Sequence, residues 1–182
     1  VGGGNKVPAA VRRSAEYAQA WTCDPLPATP EAFAADAQAY RDRAAELGKR
    51  PFVVLMRDGW VADSLAEAAA VFGEHYARMV RFYLRNEGAS RAQAFAGPGD
   101  VTATAVAPYT LMGPARDCVG QLRRLHEEQG VDYVVFCCRL STGPSMEATA
   151  EQIRRFGEEV VAPIHARYPA PDHPAIPPAC RW

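Results

Sequence analysis

The residues Gly2-Gly3-Gly4-Asn5 lead directly into a stretch with helix-forming spacing. Glycine lets a backbone approach an anion closely, and a helix beginning near Asn5 offers unpaired N–H groups and the positive end of its dipole. The chemistry open to that arrangement is the holding of a phosphate. A plain strand-to-helix turn is the alternative use of the same residues. Two arginines carry a second possibility. Arg57 and Arg139 each follow an apolar run that reads as a strand, and a guanidinium there could hold a substrate carboxylate, sulfonate or phosphate through paired hydrogen bonds. An ion pair to Asp24, Asp58 or Asp63 is the competing role. Ser141 and Thr142, just beyond Arg139, add hydroxyl donors or simply form a turn.

Other reactive side chains carry weaker signals. His75 and His126 sit at the edges of apolar helix faces, where a packed or half-exposed histidine is the common case. His165 and His173 lack the companions at i, i+4 that a metal site wants. The five cysteines show no CxxC pair and no zinc spacing; Cys137 and Cys138 would point to opposite faces of a strand. All five read as reduced thiols. Cys23, at the end of a short strand, is expected to face the pocket side without an activating neighbour. No metal site is expected, and no catalytic residue can be named.

The elements that must position these groups alternate in type. Asn5 can cap a helix over about 6–19, and Ala20-Trp21-Thr22-Cys23 reads as a brief strand cut off by Asp24-Pro25-Leu26-Pro27. Thr29 and Pro30 start a helix closed by Gly48, with Phe33, Ala37, Tyr40, Ala44 and Leu47 on one face. Phe52-Val53-Val54-Leu55-Met56 is a buried strand bounded by Arg57-Asp58-Gly59. Ser64-Leu65-Ala66-Glu67 is a capping box for a helix to about residue 86. From 87 to 110 the pattern dissolves into Gly, Ala, Pro and Thr, a long loop with the character of a lid. Gly113-Pro114 opens the next helix, 131–138 is a second buried strand, and Ser145 caps a last helix that Pro163 is expected to kink or weaken. The proline-rich tail 169–182 is expected to be loosely ordered.

Strands apolar on both faces, alternating with helices, argue for a parallel sheet covered by helices, either doubly wound or part of a (β/α)8 barrel. A complete barrel needs about 250 residues, more than the 182 present. Composition agrees with an ordinary folded domain: 48% hydrophobic, 23% charged, and a formal charge of -1 that gives nucleic acid or an anionic membrane nothing to attract. No apolar run of about 18 residues is present and the start has no signal-peptide character, so a cytoplasmic protein without a membrane span is expected.

In this order the segments resemble the C-terminal half of the luciferase-like flavin-dependent monooxygenases and oxidoreductases, the bacterial luciferase superfamily. The resemblance is carried by Val1-Gly2-Gly3-Gly4 and the following helix, by Phe52 through Asp63 with Glu67-Ala68, by Thr110 through Leu122 with its Met112-Gly113-Pro114, by Gly130-Val131-Asp132-Tyr133-Val134-Val135-Phe136, and by Phe156 through Pro163. It covers roughly residues 1–168.

The resemblance implies an α/β fold, the C-terminal half of a TIM (β/α)8 barrel with an inserted lid-like loop, in which the triglycine follows the fifth strand. It places Gly2, Gly3, Gly4 and Asn5 near the phosphate or adjoining chain of FMN, or alternatively of coenzyme F420. It implies oxidation of a small organic substrate with reduced flavin and oxygen, or hydride exchange with the deazaflavin, and Arg57 and Arg139 are the candidate substrate contacts. The expected partners are a flavin reductase and either a second copy or the missing N-terminal half. The start at Val1 reads as that of a truncated chain. A non-catalytic half-barrel remnant that binds or dimerises is the alternative, since open strand edges recruit partners.

Overall fold

Helices and short parallel strands alternate through the computed structural model, which describes residues 8–23, 29–87, 95–170 and 172–176. Helix α1 (Pro8–Tyr17) leads to strand β1 (Trp21–Cys23). Helix α2 (Pro30–Glu46) begins where the sequence signals say it must. The Thr29 hydroxyl accepts from the Ala32 N–H, Pro30 occupies the first turn, and Phe33, Ala37, Tyr40 and Ala44 form the buried face. Gly48, at φ +67°, turns the chain out of the helix.

Strand β2 (Val53–Val61) is the centre of the sheet. It pairs in parallel with β1, with β3 (Leu111–Gly113) and with β4 (Tyr133–Cys137), and the sheet stays open. Its N-terminal end is fastened by Asp132. That carboxylate accepts from the Val53 N–H at 2.8 Å and from Arg41 of α2 at 2.9 Å, so one side chain joins both strands to a helix.

β2 does not stop at Met56, where the apolar run gives way to charge, but continues to Val61. Arg57, Asp58 and Gly59 therefore lie within the strand and not in a turn after it. Gly59 makes the extension possible. A Cβ there would lie 2.7 Å from the Leu111 carbonyl carbon and closer still to its oxygen, so only glycine lets β3 come alongside.

Helix α3 (Leu65–Ala68) is capped by Ser64 and passes through a widened turn, Ala69–Gly73, into α4 (Glu74–Glu87). Helix α5 (Ala115–Glu127) precedes β4. Helix α6 (Met146–Phe156), capped by Ser145, continues through a second widened turn, Gly157–Val161, into α7 (Ala162–Arg167). That widened turn lies where the ring of Pro163 would meet the carbonyl four residues back. The helix accordingly continues through the proline instead of ending there.

Three apolar clusters hold these pieces. Val53 and Leu55 pack with Trp21, Phe33, Tyr40 and Val131 under α1, α2 and α5. Val61 and Leu111 pack with Cys118, Phe156 and Val160. Trp60 joins Phe72, Tyr76 and Val80 in the third, to which Phe95, Val101 and Val106 belong. Each large side chain fully withdrawn from water contributes about 1.5–3 kcal/mol. The described part of the expected lid, 95–110, is therefore folded onto α4, and Arg81 holds it by donating to the Val101 carbonyl at 2.8 Å. Within the tail, His173 is buried, stacks on Phe52 at 4.3 Å between ring centroids, and bonds through Nε2 to the Arg50 carbonyl. Residues 172–176 are thus docked across the N-terminal end of β2. No helix among the described residues is long and apolar enough to cross a membrane.

Candidate functional site

Side chains alternate across a strand, so the register sorts the sheet into two faces. Val54 is level with Tyr133, Met56 with Val135 and Asp58 with Cys137. The other set, Val53, Leu55, Val134 and Phe136, lies under the helices, and Phe136 stacks on Phe156 at 3.6 Å. The face opposite those helices carries Thr22, Val54, Met56, Asp58, Tyr133, Val135 and Cys137. In a closed barrel this face would be the interior. Here Tyr133 is 42% and Val135 37% exposed, so apolar surface remains open on this face. Trp60 continues the row at its C-terminal end, where Phe72 stacks on it at 6.2 Å between ring centroids.

Asp58 is the exception on that apolar row. It is 5% exposed, and its carboxyl makes no hydrogen bond or ion pair among the described residues. Burial raises its pKa from 3.8 to about 6, and the neighbouring Arg57 charge pulls only part of the way back. Cys137, in register on β4 and about 5 Å away along the sheet by ordinary strand spacing, has its thiol pushed up by burial and then by the Asp58 charge. A carboxyl that changes protonation near neutrality can serve as an acid or a base.

The cofactor candidates Gly2, Gly3, Gly4 and Asn5 lie outside the described residues, as do Asp24 and Cys180. Arg57 follows the parity of Val53 and Leu55, on the helix side of the sheet. Burial lowers its pKa, while Tyr76, Cys23 and Asp58 act in the other direction. Its only hydrogen bond among the described residues goes to the Met56 carbonyl, at 3.3 Å. Arg139 is exposed beyond the end of β4 and makes no hydrogen bond or ion pair among the described residues. The two arginines are therefore not brought to one face. Of their possible partners, Asp63 is held by Arg155 at 2.5 Å.

Beyond Arg139 the chain makes a tight turn in which Leu140 and Gly143 exchange backbone hydrogen bonds of 3.0 and 3.1 Å. His75 of α4 fastens it, with Nδ1 3.0 Å from the Thr142 hydroxyl. Gly143, at φ +133°, has no room for a side chain, since a Cβ would sit 2.7 Å from His75 Cε1. His126 is bonded through Nδ1 to the Val131 carbonyl at 2.8 Å. Cys23 belongs to the helix-covered cluster and not to the pocket side. Its place beside Trp21 in a three-residue strand sets that parity.

A groove of about 760 Å³ runs between β4, α5 to α7 and the tail, with Leu122, Val134, Phe136, Ile153, Tyr168 and Ile176 among its walls. Asp58, Arg57 and Arg139 do not line it. It is an apolar seam on the helix side of the edge strand. Neither Asp58 nor Cys137 stands out from the sequence as a site residue. The signal that could have found Asp58 is an aspartate between two apolar runs, Phe52–Met56 and Trp60–Ala62, which a strand carried through to Val61 converts from a turn residue into a sheet residue.

No family model and no curated protein matches the chain. Among solved structures it is similar to the monooxygenase RslO1 from Streptomyces bottropensis, at 23% identity and TM-score 0.64 over 87% of this chain and 46% of that one. It is similar to the oxygenating constituent of 3,6-diketocamphane monooxygenase from Pseudomonas putida, solved with FMN, at 14% identity and TM-score 0.65 over 89% and 48%. A third is the coenzyme F420 dependent tetrahydromethanopterin reductase from Methanopyrus kandleri, at 17% identity and TM-score 0.59 over 88% and 50%. The chain spans about half the length of each. The likeness shows the fold, a partial luciferase-like barrel whose sheet is not closed.

Proposed function

We propose that these residues are the C-terminal half of a luciferase-like oxidoreductase that acts on a small organic substrate with FMN or, alternatively, coenzyme F420. One observation carries the reading. A parallel sheet with the fold of half a flavin-enzyme barrel leaves part of its inner face exposed, at Tyr133 and Val135, and that largely apolar row is interrupted by one buried carboxyl, Asp58, with no hydrogen bond or ion pair among the described residues. Such a lining, apolar with one converging polar group, suits a flat heterocycle and an organic molecule beside it. The residues present therefore fit the group.

When bound, the flavin or deazaflavin supplies the redox chemistry. Met56, Val135 and Tyr133 would exclude water from one side of the site, and Asp58 would hold a proton at its Oδ. Gly2 to Asn5 would take the phosphate, and Arg139 a charged part of the substrate or cofactor. The expected setting is the cytoplasm, with a flavin reductase supplying reduced flavin in the FMN case. Fluorescence titration of FMN and of F420 into the natural polypeptide that carries these residues tests the reading. Saturable binding of one of them is expected; binding of neither refutes it.

The edge of β4 away from β2, unpaired among the described residues, and the exposure of Tyr133 and Val135 favour a second reading, a half-barrel that pairs with another chain and performs no catalysis. Sedimentation separates the two. A colourless dimer supports the pairing module, and a yellow or F420-fluorescent holoprotein supports the enzyme.

A further inference from the structure

We propose that Asp58, set against Cys137 on the inner face of the sheet, is an acid–base site that exchanges a proton with a neutral carbonyl or alcohol compound lying on that face. The ligand class rests on the oxidoreductase reading; the site itself rests on geometry. Asp58 is 5% exposed and makes no hydrogen bond or ion pair among the described residues, yet its carboxyl oxygens are not fully enclosed, so the exposure that remains is at the tip that a ligand oxygen would meet. Its side of β2 is shared with Met56 and is level with Val135 and Cys137 on β4. An apolar molecule with one oxygen matches that surface. An anion does not, because Arg57 continues the helix-side parity and a second negative charge beside Asp58 would be unfavourable.

The proton step balances when it accompanies hydride exchange with a cofactor of the flavin or deazaflavin class: as a hydride adds to the carbonyl carbon, the Asp58 Oδ–H gives its proton to the oxygen, an alcohol results, and the carboxylate regains a proton from water. In the opposite direction the hydride leaves the alcohol carbon for the oxidised cofactor while the carboxylate takes the hydroxyl proton and passes it to solvent. The charged and titratable groups acting on Asp58 are Arg57 on its own strand and Cys137 on β4. Tyr76 of α4 and Cys23 of β1 act on Arg57. Cys137 stays a neutral thiol at neutral pH, a weak donor that does not compete for the proton.

The test uses the natural polypeptide that carries these residues, without cofactor, labelled with carboxyl ¹³C-aspartate, the Asp58 resonance being assigned by its loss in Asp58→Asn. A titration midpoint near 6 is expected; one at or below about 4.5, the ordinary carboxylate range, overturns the proposal. In a second measurement, peptide-resolved iodoacetamide labelling of Cys137 at alkaline pH should be several-fold faster in Asp58→Asn, because burial still holds the thiol up but the added effect of the Asp58 charge is gone. An unchanged rate overturns the juxtaposition, and it can be read even if the resonance is too broad. Cyclohexanone, as the neutral probe, should perturb the Asp58 resonance; a response to cyclohexanecarboxylate alone overturns the ligand class. Because all three run without flavin, failure here and failure of FMN or F420 binding are separate results.

Discussion

Asp58→Asn isolates the energetic consequence of burying a carboxyl on the inner face. Asparagine keeps the shape and the neutral polar character of the protonated acid but cannot ionise. The folded chain raises the Asp58 pKa from 3.8 to about 6, so it holds the proton more tightly than the unfolded chain does. The stabilisation from that preference is fully present below the unfolded value and is lost as pH rises through about 6. The displacement is worth about 3 kcal/mol when complete, and about 1 kcal/mol of it has already gone by pH ~4.5. The asparagine variant has no such loss. Relative to the unmodified chain it should gain about 2 kcal/mol of stability between pH ~4.5 and ~7.5. At 2–4 °C per kcal/mol for a domain of this size, the difference in Tm between the two proteins should grow by about 4–8 °C over that interval. Thermal unfolding followed by circular dichroism in matched buffers measures it, and the titrations of the other carboxylates cancel in the comparison. A difference that is flat with pH, or that grows in the unmodified chain's favour at alkaline pH, would refute the reasoning.

Gly59→Ala should destabilise by about 1–3 kcal/mol in urea unfolding, because the added methyl meets the Leu111 backbone; faster hydrogen exchange in β3 would show where the strain goes. Asp132→Ala strands the Val53 N–H and leaves Arg41 only its bond to the Gly130 carbonyl, and should cost about 1–3 kcal/mol, whereas Asp132→Asn, which still offers an oxygen to Val53, should cost less. His75→Ala should speed hydrogen exchange at Thr142 and Gly143 with a loss of less than about 1 kcal/mol, since the bond it removes is exposed. Among the four described cysteines, alkylation of the native chain should reach Cys137 first and Cys118 only on unfolding, because burial pushes the Cys118 thiol up to about 12.

Much of the local structure is legible from residue types alone. Thr29 with Pro30, Ser64 with Glu67, and Ser145 start helices because their side chains satisfy N–H groups that no earlier turn can. The apolar runs around Val53–Leu55 and Val134–Phe136 become strands because they are apolar on both faces, and their alternation with helices points to a parallel sheet. The fold neighbours agree with the half-barrel that the segment order resembles. What the sequence leaves open is which side of each strand the helices cover. Arg57 and Asp58 are adjacent charged residues after an apolar run, and nothing local distinguishes them or shows that the strand continues. Only the approach of β3 at Gly59 carries β2 to Val61, and only the packing of α1, α2 and α5 on Val53 and Leu55 fixes the parity. That long-range packing turns Arg57 to the helix side and leaves Asp58 with Cys137 on the inner face, because a strand assigns its side chains in alternation once any one of them is committed to the core.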